Sequence, residues 1–302
     1  MTAERTLLPE PTTLFMHATP VQLALLFAAA FIAGAINSVA GGGTLLTFPA
    51  LLAVLAGTPG GPIIANGTST VALVPGSLSA FWGYRRDLGG AGRLLWTIAV
   101  PSLLGGAVGA YLATHIGSDL FKHLVPWLIF AATFLFLIQD WVRRRLAKFS
   151  LPAGAAEEDQ TWPPKLPAPH LAPPALGAGG LPLGAMVFQF FVAIYGGFFG
   201  AGIGILMLAA LGFLGQTNIH RMNGLKNFAA VCINGVGALT FVLYRRVDWR
   251  LAALMAVAAV LGGWGGAGLA RRIGQANVRR IVIAIGLGFG VYTLLGQLNV
   301  KL

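Results

Sequence analysis

Charged residues are scarce in this sequence of 302 residues. Asp, Glu, Lys and Arg together make up 10% of the chain, and hydrophobic residues make up 56%. A soluble domain usually carries about 25% charged residues, so this composition excludes an ordinary soluble fold. A β-barrel is excluded as well, because its strands would need polar and apolar residues in alternation. We infer that the lipid bilayer is the solvent, since the chain contains several apolar runs close to the roughly 20 residues that a spanning helix needs.

Cysteine and the usual catalytic motifs are also missing. The single cysteine, Cys232, excludes an intrachain disulfide and a dithiol redox pair. The sequence has no H-E-x-x-H, G-x-S-x-G or P-loop pattern and no plausible pair of intramembrane aspartates. We therefore expect no enzymatic activity, no cofactor and no bound metal. The first twenty residues lack the basic start and cleavage site of a secretory signal, so the first helix is expected to remain.

Acidic residues number only nine, and all of them fall in predicted loops or at segment ends. The twenty Lys and Arg residues give a net charge of +11, but they lie between apolar runs in clusters such as Arg85-Arg86. This spacing is typical of membrane loops and not of a nucleic-acid surface. Cation pumps and proton relays usually use intramembrane Asp, Glu or His. The expected partners are therefore a small anion and the lipid bilayer, without nucleic acid, and the oligomeric state stays open.

Apolar runs predict an all-α polytopic membrane protein with about eight to ten hydrophobic segments. A Pro-rich stretch at 148–180 divides them and is typical of a linker. We therefore divide the chain into an N-terminal segment (1–20), a first transmembrane repeat (21–147), the linker (148–180) and a second repeat (181–302). The predicted segments are 21–39, 44–56, 65–84, 94–114, 121–141, 182–199, 204–214, 222–244, 251–270 and 278–298.

The two halves are related in sequence. Residues 105–117 match residues 262–274 at eight of thirteen positions without a gap. Asn66-Gly67 precedes the first block by 39 residues, and Asn223-Gly224 precedes the second by the same distance. Five pieces per half would invert the second repeat, whereas four would leave it parallel. We favour inversion, because fusing residues 21–56 into one helix would give a length of about 54 Å, too long for the hydrocarbon core.

Each repeat opens with a helix that glycines interrupt, at 40–44 and at 200–204. Non-helical backbone at membrane depth is tolerated where it is buried or lines a cavity, so paired interruptions predict a transport site. The alternative is close helix packing at small residues. Packing is the favoured interpretation for the glycines at 105–109 and 262–266.

We predict that a further helix begins in each half at a short polar run, which starts with Asn66 in the first half and with Asn223 in the second. These are N-cap residue types, and a helix N-terminus can both be capped and bind an anion. Lys226 would add a full positive charge, although it could instead extend its ammonium group to the membrane interface. The candidate substrate-binding residues are Asn37, Ser38, Gly41, Gly42, Gly43, Thr44, Asn66, Gly67, Thr68, Ser69, Gly200, Gly202, Gly204, Asn223, Gly224, Lys226 and Asn227.

These motifs resemble those of a known family. The run 34–43 followed by Pro49 and by 66–69, together with the second opening at 196–204, is similar to the TauE/SafE membrane permeases. The resemblance implies transport of sulfur-containing anions such as sulfite or organosulfonates across a bacterial inner membrane. The second opening departs from the first, because Ile203 separates two of its glycines. A membrane scaffold without transport is the alternative function. Electrostatics further predicts that a negative interior drives anion export without a coupled ion.

Overall fold

The computed structural model describes residues 18–39, 42–150, 183–213, 219–273 and 275–298. These residues form ten α-helices and one short 3₁₀-helix at Arg85–Leu88, and no strand occurs among them. The helices are α1 (Pro20–Val39), α2 (Thr44–Val54), α3 (Gly61–Tyr84), α4 (Gly92–His115), α5 (Ser118–Ser150), α6 (Leu183–Phe198), α7 (Ile203–Phe213), α8 (Ile219–Leu243), α9 (Trp249–Ile273) and α10 (Gln275–Gln297). The predicted all-α fold is confirmed, with one helix for each predicted hydrophobic segment.

Five stretches in the described part of the chain are long and apolar enough to cross a membrane. They are Pro20–Asn37, Gly92–His115, Ser118–Ile138, Arg221–Leu243 and Arg280–Gln297. Helices α2 and α7 have 11 residues each, about 16 Å at a rise of 1.5 Å per residue, and reach only part of the way across. Helix α5 continues to Ser150, beyond the predicted end at residue 141. The predicted linker from residue 151 onward lies outside the described residues.

The predicted helix starts at Asn66 and Asn223 are wrong. Helix α3 begins at Gly61, so Asn66 is its sixth residue, and α8 begins at Ile219, so Asn223 is its fifth. The earlier start of α3 follows from its own sequence. Gly60 has a φ of 71°, in the left-handed region that favours glycine, and Pro62 fits the first turn of a helix. Polar residues of the N-cap type therefore lie on the buried faces of both helices.

Helices α3 and α8 cross at the centre of the molecule and run antiparallel. Gly67, near the start of α3, lies against the Phe241 ring near the end of α8. Gly224, near the start of α8, lies against Tyr84 at the end of α3. Related helices that cross in opposite directions favour the inverted arrangement, which stays a prediction.

The halves also exchange contacts at their outer helices. Helix α1 of the first half packs on α9 of the second, and α6 of the second half packs on α4 of the first. A Cβ atom on Gly262 of α9 would overlap the carbonyl oxygen of Phe31, and one on Gly105 of α4 would overlap that of Phe190. Glycine thus allows both pairs of helices to approach at backbone distance, which is the packing role predicted for these two blocks.

Candidate substrate site between two glycine breaks

Each half begins with two helices joined by a short glycine-containing connection. Gly42, before α2, has a φ of 110°, and Gly200, before α7, has a φ of 78°. Residues with a side chain rarely adopt such positive φ angles. Glycine therefore allows the chain to turn back at both points. Helix α2 packs against α3, where the Thr47 and Ser69 hydroxyl oxygens lie 2.6 Å apart. The two breaks are therefore helix turns within the fold, with residues 40 and 41 outside the described part.

A small cavity of about 20 Å³ lies where the two breaks meet α3 and α8. It reaches the middle of both crossing helices, since Leu73 is the thirteenth of 24 residues in α3 and Ala230 the twelfth of 25 in α8. This volume holds about one water molecule, so a larger ligand requires the walls to separate. The lining residues are Asn37, Gly42, Thr44, Leu73, Gly200, Ile203, Gly204, Met207, Lys226, Asn227, Ala230 and Asn234.

Lys226 is the one ionisable residue among those that line the cavity. Its side chain is 1% exposed, and it is the eighth residue of α8. A lysine that extends its ammonium group to the membrane interface would keep that end in water. The burial of Lys226 therefore favours a role at the cavity over that alternative.

Three amide side chains, those of Asn37, Asn227 and Asn234, share the cavity wall with Lys226. The Nδ2 atoms of Asn37 and Asn234 each donate to the Ser77 Oγ atom at 3.3 Å, and Ser77 Oγ donates to the Leu73 carbonyl at 3.0 Å. Asn227 is 3% exposed, and its buried Nδ2 atom has no hydrogen-bond partner. The cavity therefore combines a cation with hydrogen-bond donors, which is the chemistry that an anion requires.

Two short helices also begin at this cavity. Thr44 is the first residue of α2, and Ile203 is the first residue of α7. Both residues line the cavity, so the partial positive charge of each helix N-terminus lies at the same cavity as Lys226. The N-termini nearest the candidate site are thus those that follow the glycine breaks, and not those of α3 and α8.

The predicted site residues divide between the cavity and its surroundings. The structure brings seven of them to the cavity wall: Asn37, Gly42, Thr44, Gly200, Gly204, Lys226 and Asn227. Eight lie elsewhere: Gly43, Asn66, Gly67, Thr68, Ser69, Gly202, Asn223 and Gly224. Gly41 and the side chain of Ser38 lie outside the described part. Sequence analysis missed Asn234 and its neighbour Ser77, although both occupy the same place in the repeat, eleven residues after Asn223 and Asn66 respectively.

The polar residues of the first half mostly bond to other parts of the protein. The Asn66 Nδ2 atom donates to the Phe198 carbonyl at 2.8 Å, at the end of α6. The Thr68 hydroxyl accepts a hydrogen bond from the backbone N–H of Asp248 at 2.9 Å. Ser69 pairs with Thr47, as described above. These side chains connect the two halves or join α2 to α3, and none of them lines the cavity.

Asp248 is buried between α8 and α9, outside the cavity. Its Oδ1 atom accepts hydrogen bonds from the N–H groups of Arg250 and Leu251 at 3.0 Å, so it caps α9. The Oδ2 atom is buried and has no hydrogen-bond partner. Burial raises the pKa of the Asp248 carboxyl group, which outweighs the lowering by these two hydrogen bonds and by the Arg250 charge.

Comparison with known proteins gives this geometry its context. The family model described as "Sulfite exporter TauE/SafE" matches residues 26–293, which include every residue that lines the cavity. The chain belongs to the TauE/SafE family. It is a multi-pass bacterial membrane transporter, in agreement with its relatives and with its apolar helices. No solved structure matches the chain.

Relatives of this TauE/SafE protein have general names. A "Probable membrane transporter protein" of Haemophilus influenzae is 30% identical over 86% of this chain and 90% of its own length. The "Probable membrane transporter protein YfcA" of Escherichia coli K12 is 30% identical over 90% of this chain and 89% of its own. A "Probable membrane transporter protein ORF9" of a Sinorhizobium species is 28% identical over 90% and 92%. These names describe a transport function and name no substrate.

Proposed function

We propose that this transporter carries a small anion, sulfite or an organosulfonate, and that the anion binds between the two glycine breaks beside Lys226. The observation that carries this proposal is the burial of the Lys226 side chain at 1% exposure on the wall of a cavity that has no acidic lining residue. The family description supports a sulfur-containing anion, because the matching model is that of a sulfite exporter.

The physical reason is the cost of burying charge. An ammonium group away from water loses several kcal/mol of hydration, and a charged partner with good hydrogen bonds offsets that loss. A bound anion next to Lys226 would contribute to that offset. The Asn227 amide would supply a further donor, and the partial positive charges at the starts of α2 and α7 would favour the anion.

The position of the cavity suits alternating access. It lies at the middle of α3 and α8, and both halves contribute to its wall. Transporters with inverted repeats hold their substrate near the bilayer midplane, at the interface between repeats, and expose it to each side in turn. In this protein the separation of the two glycine breaks would open the cavity to the size of an anion.

A flux assay with a charge-removing variant tests the proposal. The purified protein is reconstituted in liposomes, and uptake of radiolabelled sulfite is measured for the wild type, Lys226→Gln and Lys122→Gln. Lys122 is the matched control, because it is exposed on α5 and does not line the cavity. Lys226→Gln should weaken apparent sulfite affinity by at least about tenfold, the size of a lost charged hydrogen bond, and Lys122→Gln by less than about twofold.

Stability separates binding from folding in this assay. Thermal unfolding in detergent is therefore measured for the wild type and Lys226→Gln, and a similar unfolding midpoint shows that a loss of affinity is not a loss of folding. Equal sulfite affinity in the wild type and Lys226→Gln would overturn the role of the lysine. Wild-type protein that gives no more flux than empty liposomes, with any small anion, would favour the scaffold function instead.

A further inference from the structure

The ionisable side chains at the cavity determine how much charge an occupied site carries. Of the twelve lining residues, Lys226 is the only one with an ionisable side chain. The remaining side chains are amides, one hydroxyl and apolar groups. The site without ligand therefore contributes one positive charge from its own wall.

The helix N-termini do not add a second full charge. A helix dipole has no net charge, so α2 and α7 orient an anion without changing the total. In α2, moreover, two N–H groups of the first turn are already used, because Leu45 donates to the Gly42 carbonyl at 3.1 Å and Leu46 to the Gly43 carbonyl at 3.0 Å. The lining residues therefore offer no second cationic side chain to pair with a second negative charge on the ligand.

We propose that the site selects singly charged anions over doubly charged ones, and that charge crosses the membrane mainly with the empty site. This inference rests on the proposed function. A monoanion beside Lys226 makes the loaded site electrically neutral, and a neutral site changes its exposure with little dependence on voltage. The empty site carries the lysine charge, so its return responds to the membrane potential. A negative interior attracts the empty site inward and accelerates net export.

The first test varies the charge of the anion at nearly constant shape. Methanesulfonate and sulfate are both tetrahedral at sulfur and similar in size, but one carries a single charge and the other carries two. Each is added as a competitor of radiolabelled sulfite uptake by wild-type proteoliposomes at mildly acidic pH, at which the tracer is mainly the hydrogensulfite monoanion. Methanesulfonate should compete at least about tenfold better than sulfate, because the second charge of sulfate would be desolvated without a cation. Equal competition, or better competition by sulfate, would overturn the preference for monoanions.

The second test separates the loaded step from the empty step. With methanesulfonate on both sides, exchange uses only the loaded site, whereas net efflux also requires the return of the empty site. Wild-type exchange should change by less than about twofold when a clamped potential of 100 mV is imposed. Net efflux should change several-fold, up to the limit of about 50-fold for one charge that crosses the whole field. Exchange that responds to voltage as strongly as net efflux would overturn the inference.

Variants at Lys226 provide the control. Lys226→Arg keeps the positive charge and should keep voltage-independent exchange, even if it alters affinity. Lys226→Gln makes the loaded site negative and the empty site neutral, so its residual exchange at saturating methanesulfonate should become voltage-dependent. Voltage-independent exchange in Lys226→Gln would contradict the charge assignment. Absence of flux with every anion in the wild type would remove the proposed function itself, whereas flux with the wrong charge or voltage dependence would remove only this inference.

Discussion

The two halves of this protein share a backbone plan but bring different side chains to equivalent places. Three residues after Asn66 the first half has Ser69, and three residues after Asn223 the second half has Lys226. Ser69 forms a hydrogen bond with Thr47 and joins α2 to α3, whereas Lys226 is buried on the cavity wall. One position in the repeat therefore stabilises a helix pair in one half and supplies charge in the other.

The next position differs in the same way. Thr70 of the first half bonds to its own helix through the Asn66 carbonyl at 2.8 Å, while Asn227 of the second half leaves a buried amide nitrogen without a partner at the cavity. Residues that hold the framework have counterparts in both halves, such as Gly105 and Gly262. The two halves therefore resemble each other at these packing glycines and differ in the side chains that they bring to the candidate site.

The largest expected effect concerns the orientation of the halves. In a Cys232→Ala background, single cysteines at Arg86 and Arg245 should react with a membrane-impermeant thiol reagent from opposite sides. Both arginines are exposed, and the antiparallel crossing of α3 and α8 places the ends of these helices at opposite faces. Labelling of both cysteines from the same side of right-side-out vesicles would show that the repeats are parallel and that the comparison of inverted halves is wrong.

The glycine contacts test whether the framework is equivalent in the two halves. Gly105→Ala and Gly262→Ala should each lower the free energy of unfolding by about 1 to 3 kcal/mol, because the added methyl group meets a backbone carbonyl. Gly288→Ala is the matched control on α10, where a Cβ meets nothing within 4 Å and helix propensity favours alanine. Thermal unfolding in detergent measures all three. A loss confined to one half would show that the α4–α6 and α9–α1 interfaces differ.

The smallest expected effect concerns the two acidic residues that follow α3 and α8. Asp87 follows α3 and is exposed, whereas Asp248 follows α8 and is buried. Burial raises the folded-state pKa of Asp248 above its unfolded value, so the folded state binds the proton more tightly. The wild type should therefore gain stability as pH falls through the folded pKa, and lose that gain as pH rises.

Substitution of each aspartate separates this charge from the cap. Asp248→Asn keeps an N-cap acceptor without charge, so its stability at neutral pH should equal or exceed that of the wild type and depend less on pH. Asp248→Ala should cost about 1 kcal/mol through loss of the cap. Asp87→Asn should change neither the stability nor its pH dependence measurably. A wild-type unfolding midpoint that rises with pH relative to Asp248→Asn would contradict the sign of the pKa shift.

Sequence analysis predicted the number and order of the helices well, because apolar runs near the membrane length leave little choice. It was less successful for the polar positions. Asn66 and Asn223 were predicted to start helices, but Gly60 and Pro62 start α3 a turn and a half earlier. It also predicted Thr68 and Ser69 as site residues, and the structure places both away from the cavity wall. A hydroxyl group on a buried helix face has the same appearance in sequence whether it contacts a ligand or another helix. Asn234 was missed because it lies mid-helix in an apolar run.

The sequence by itself determined that this chain is a helical membrane protein of two related halves, because the bilayer requires long apolar helices and a duplication leaves matching blocks. It also determined the glycine breaks, since few other residues tolerate the backbone before α2 and α7. Only the tertiary structure decided which polar side chains meet. The cavity gathers residues from α1, α2, α3, α7 and α8 that are up to 197 positions apart, from Asn37 to Asn234. Such distant contacts follow from how the helices cross, which no local pattern in the sequence specifies.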